Sequence, residues 1–136
     1  MKKYCYFTQE EFLQHLDEGE RLKVAAFPDL KERLNEWMVR LSIIRAAFGQ
    51  PITVNSWYRD HDHNKRVGGS ATSQHLDGTA VDITSSDNAK LMATICKLQK
   101  GGMDFGQIIA YGSGQYRFLH LSLPTRDKLN QYLNFP

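Results

Sequence analysis

The sequence predicts an α+β domain in which helices pack on one face of a small antiparallel sheet. Three observations carry that prediction. Apolar residues recur at helical spacing before Gly49 and again around Ile95, short β-branched or alternating runs fall between Pro51 and Leu123, and those runs sit close enough in the chain to pair locally. At 136 residues, 41% hydrophobic and 24% charged, the chain has enough material for one core and too little for two. Residues 1–136 are therefore read as a single domain.

The elements follow in order. Thr8-Gln9-Glu10-Glu11 has the form of a capping box, and predicts a helix from Gln9 to Leu16 that Gly19 ends. The next helix starts at Pro28 and Asp29, with Glu32 completing a second box and Gly49 as its stop. Along it Leu30, Leu34, Trp37, Leu41, Ile44 and Phe48 recur at alternating steps of four and three, and Met38, Val39 and Ile43 widen the apolar face for packing on a sheet. Pro51 to Tyr58 reads as a strand entered by a proline, with Arg59 at its end. Asp60 to Arg66 has room for one or two helical turns, and Val67 to Ser73 has the small residues of an ordered loop. Thr79 to Thr84 is the next strand. Ser86 then caps a helix running to about Lys100, with Leu91, Met92, Ile95 and Leu98 on one side and Gly101-Gly102 closing it. Gln107–Tyr111 and Tyr116–Leu123 form a hairpin across Gly112-Ser113-Gly114.

Charge narrows the partners. Lys plus Arg number 17 against 15 Asp plus Glu, and they are scattered, so no stripe exists to neutralise a row of phosphates and nucleic acid is excluded. No apolar run approaches the roughly 20 residues that span a bilayer, so no membrane is expected as partner. At the amino terminus Thr8, Gln9, Glu10 and Glu11 interrupt any stretch of signal-peptide length, which predicts a protein that is cytoplasmic on synthesis. Cys5 and Cys96 lack CxxC or Cys/His spacing and are expected as two buried thiols, with a disulfide between them as the alternative. A monomer is expected.

The candidate chemistry comes from strand alternation. In Thr79–Thr84, Ala80 and Asp82 share one face, and Val81 and Ile83 the other. In the last strand Leu119, Leu121 and Leu123 share a face, and Phe118, His120 and Ser122 take the opposite one. His75 stands seven residues before Asp82, and Gly78 permits a tight turn between them. Two imidazoles and a carboxylate suit zinc and leave its fourth tetrahedral position open. By spacing alone, ordinary hydrogen-bonding duty for the three residues stays open. His61 and His63 diverge by about 200° if helical and so do not chelate one ion together; they read as surface histidines, with His63 the better placed to face a site. His15 reads as a solvated residue of the first helix, and Trp57 and Tyr58 as core and groove wall.

The run Ser73 to Asp82 fits SxHxxGxAxD, and resembles the signature of the zinc D-alanyl-D-alanine carboxypeptidases and their phage and hedgehog-like relatives. Tyr6-Phe7-Thr8 with Glu11-Phe12, the Val54-Asn55-Ser56-Trp57-Tyr58-Arg59 segment, His63 to Gly69, and His120-Leu121-Ser122 resemble that family's peptidase-like branch in the same order, most weakly after Leu123. The resemblance implies the hedgehog/DD-peptidase fold, Zn2+ held by His75, Asp82 and His120, and substrate contacts from Arg59 and Ser73. It also implies hydrolysis of an amide in a peptidoglycan stem peptide. A phage or prophage lysis protein, released onto the wall when the membrane opens, fits the absent signal stretch. One position departs from the pattern: where studied members carry an acidic general base three residues before the last zinc histidine, this chain has Arg117, and where some relatives place a second histidine it has Phe118. Asp104, His63 and Asp77 are the substitutes available. The alternative is a non-catalytic zinc-containing module, wall-binding or part of a phage particle, that has lost the base.

Overall fold

The computed structural model describes residues 6–112 and 116–135, so Cys5 and the hairpin tip at 113–115 lie outside the described residues. Capping chemistry sets the helix starts. Helix α1 covers Gln9–Leu13, with the Thr8 amide donating to Glu11 Oε2 at 2.6 Å. It is shorter than predicted because a second box intervenes: Asp17 accepts from the Glu20 amide at 2.8 Å while Glu20 accepts from the Asp17 amide at 3.1 Å. That box starts α2, Glu18–Ala26. Gly19 therefore lies in the first turn of a helix instead of ending one, and His15 sits in the exposed turn between the two.

Helix α3 spans Pro28–Phe48, with proline in its first turn and Gly49 closing it at φ 82°. Phe27 occupies the N-cap without a side-chain bond, so the Asp29–Glu32 box does not form. All six residues of the four-and-three stripe are buried, while Val39 and Ile43 are exposed, so the apolar face is narrower than the sequence suggests. Helix α4, His61–Arg66, is the predicted short helix. Helix α5, Asn88–Lys100, is capped by Asp87, whose side chain accepts from the Lys90 amide at 3.0 Å, and not by Ser86.

The strands are β1 Ile52–Ser56, β2 Ala80–Ser85, β3 Gln107–Tyr111, β4 Phe118–Ser122 and β5 Gln131–Phe135, in the order β1-β2-β4-β3-β5. Every pair is antiparallel except β3–β5, which is parallel. Strand β5 was not predicted: all five of its residues are exposed, so it has no in-out pattern to read. On the helix-facing side Val81, Ile83, Leu119, Leu121, Ile108 and Ala110 lose all exposure, and they join Trp37, Leu41 and Ile44 of α3 and Leu91 and Ile95 of α5 in one core. Burial of each large side chain contributes about 1.5–3 kcal/mol. Alternation then turns Asp82, Tyr111, Phe118 and His120 to the opposite face. Among the described residues no helix is long and apolar enough to cross a membrane.

Candidate metal centre

His75 reaches the sheet from a single 3₁₀ turn, Gln74–Asp77, started by Ser73, whose hydroxyl oxygen accepts from the His75 amide at 3.2 Å. Gly78 ends the turn at φ 77°, where a side chain is strained; a Cβ there would stand 3.1 Å from Leu30 and 3.2 Å from Trp57. Its carbonyl accepts from both buried indoles, Trp57 at 2.8 Å and Trp37 at 3.1 Å. The glycine of the motif is thus the point at which the loop is fastened to the core. Beyond it Asp82 on β2 pairs in register with His120 on β4.

Among the described residues, His75, Asp82 and His120 bring one ligand atom each to within 4.8 Å of the others. His120 Nδ1 lies 2.9 Å from Asp82 Oδ1, and His75 Nε2 lies 3.2 Å from the same oxygen. The other nitrogen of His75, Nδ1, donates to the Trp57 carbonyl. That bond places the ring proton on Nδ1 and leaves a lone pair on Nε2, which is buried and has no hydrogen-bond partner. An orphaned imidazole nitrogen aimed at a carboxylate and a second imidazole fits a zinc-type ion. Burial by itself raises the Asp82 carboxyl, but His120 and then His75, when their rings present a proton to it, outweigh burial and hold Asp82 below the usual carboxylate range.

A cavity of about 380 Å³ opens onto the cluster. Arg59 and Ser73 line it, as do Tyr111 and Lys128, which the sequence did not single out. The Arg59 Nε is buried without a partner, while its amide donates to the His75 carbonyl at 2.9 Å. Burial lowers the guanidinium, opposed by Asp82 and Glu20. Tyr111 is raised by burial and then by Asp82, so its hydroxyl stays protonated. Period-two alternation on β3 could have found Tyr111, since Ile109 on the same face pairs with His120. Nothing local marks Lys128.

The substitutes for the base are elsewhere. His63 is half-buried and not a surface residue: its Nδ1 donates to Glu20, 2.9 Å from Oε2. Asp104 is exposed and accepts from Asn130 Nδ2 at 3.0 Å, and Asp77 accepts from Thr79. None of the three lines the cavity, where Asp82 is the one carboxylate among the described residues. Arg117 also points away, exposed beside Asp87 and Asn88 at the start of α5. Trp57 and Tyr58 are core residues that do not line this cavity, and Tyr58 instead lines a separate groove with Leu30 and Leu76. His61 is exposed, and Cys96 is a half-buried free thiol.

Comparison with known proteins places this geometry in context. No curated protein matches the chain. Residues 5–122, which include all three members of the cluster, match the family model described as Peptidase M15.

Proposed function

The chain belongs to the peptidase M15 family, and on that premise we propose that it is a zinc-dependent hydrolase of an amide bond in peptidoglycan stem peptides. The observation that carries the reading is the convergence of His75 Nε2, His120 Nδ1 and Asp82 Oδ1, with the first of these left as a buried lone pair. These three residues would hold the ion, which when bound supplies a Lewis acid and a water whose pKa falls to roughly 7. The chain's own groups do the rest. Arg59 offers a charged planar fork for a substrate carboxylate. Ser73 uses its oxygen to accept from the His75 amide, so its O–H is free to donate into the cavity. Tyr111, held protonated, donates but takes no proton. A phage or prophage lysis role, with the wall reached after release from the cytoplasm, belongs to the same proposal.

A second reading is favoured by one observation: no carboxylate except Asp82 lines the cavity among the described residues, so no group stands ready to take a proton from water. On that reading the domain recognises wall peptides without cutting them. Purified muropeptides incubated with zinc-replete protein, with and without a chelator, and followed by mass spectrometry separate the two. Zinc-dependent new masses are the expected result; their absence across pH and time would leave the recognition module.

A further inference from the structure

The family match stops at residue 122, yet the chain beyond it builds part of the cavity wall. The connection from β4 to β5 is tightly held. The Thr125 amide donates to the Lys128 carbonyl at 2.9 Å, and the Lys128 amide returns a bond to Thr125 Oγ1 at 3.0 Å. Asn130, at φ 51°, fastens the far side: its amide donates to the Phe105 carbonyl at 2.6 Å, and its side-chain oxygen accepts from the Phe105 amide at 2.8 Å. Between these anchors Lys128 is half-buried and lines the cavity that holds the His-Asp-His cluster.

Two further facts give this lysine a direction. No carboxylate among the described residues forms an ion pair with it. It also lines, together with Gln74, a neighbouring cavity of about 690 Å³ whose wall is of mixed charge, with Arg33 on one side and the carboxylates of Glu36, Asp77 and Asp127 on the others. A chain-like ligand running from the cluster into that second cavity passes the Lys128 side chain. Asp82 is the one anion of the first cavity among the described residues and sits against the two histidines, whereas Arg59 and Lys128 both bring positive charge to its wall. In the first cavity, and at Lys128 where the two meet, such a field favours an anionic group of the ligand.

We infer that Lys128 is a specificity-determining residue that pairs with a free side-chain carboxylate of the peptide, so that favoured substrates carry a second carboxylate besides the one facing Arg59. This rests on the peptidase reading for the kind of ligand, and its test is read by binding so that it does not depend on turnover. Two non-cleavable peptides, both with a free carboxyl terminus and differing only in a side-chain carboxylate or carboxamide, are titrated calorimetrically into zinc-replete protein. Wild type should prefer the acid by about tenfold, the usual scale of one charge-assisted hydrogen bond. Lys128→Gln should lose that preference, and Lys128→Arg should keep most of it. Zinc content and melting temperature establish that each variant is folded. Equal binding of both peptides by wild type, or by neither, overturns the inference, as does a preference that survives Lys128→Gln. Muropeptide hydrolysis, scored separately, can fail while this preference stands, and can succeed while it falls.

Discussion

His75 divides its two ring nitrogens between fold and site. Nδ1 donates to the Trp57 carbonyl, and Nε2 is left bare beside Asp82. His75→Ala should therefore abolish stoichiometric zinc in elemental analysis of the purified protein, and full occupancy in that variant would refute the site. Arg117 teaches the opposite lesson. Its place in the motif suggests a cation at the metal, yet Arg117 is exposed, lines the groove at the start of α5 and not the cavity at the cluster, and its carbonyl accepts from Thr84 Oγ1 at 3.0 Å and Asn88 Nδ2 at 3.1 Å. The cations that reach the site are Arg59 and Lys128. What departs from the family pattern at residue 117 is thus the absence of a base, without a new charge in its place.

Among the elements, α2 was the one helix the sequence concealed. Only Glu20 and Val24 of it are buried and Leu22 is exposed, so it offers no apolar stripe, and Gly19 in its first turn reads as a terminator. Its role shows in Glu20, which is fully buried and ties the start of α2 to the start of α4. The carboxylate accepts from the Asp17 amide, from the Asp60 amide at 2.9 Å and from His63 of α4. Asp60 directly follows Arg59, so the same carboxylate steadies the segment from which Arg59 lines the cavity. Glu20→Ala leaves two amides and a histidine without their acceptor, and should cost about 3 kcal/mol in urea unfolding. Thr8→Ala, in the exposed box of α1, should cost about 1 kcal/mol or less. Comparable losses in the two variants would remove Glu20 from this role.

Across the whole molecule the cluster joins a loop, β2 and β4, segments that only the assembled sheet brings together. An ion bound there stabilises the folded state alone, by about 2.7 kcal/mol at a free concentration one hundred times Kd. Scanning calorimetry should then show a melting temperature several degrees higher with zinc than with chelator, on the scale of roughly 3 °C per kcal/mol for a domain of this size. His75→Ala should show no such response; an equal shift in the variant would place the metal elsewhere. By itself the sequence determined the fold class, the long helix, four strands and the faces on which Asp82 and His120 lie. These depend on periodicities of two and 3.6 residues, which the backbone enforces locally. The tertiary structure alone decided that His63 belongs to Glu20, that Arg117 turns outward, that β5 closes the sheet in parallel and that Lys128 enters the cavity. Each of those depends on which distant segments become neighbours, and adjacency between elements is set by packing of the assembled core, to which no local pattern is a guide.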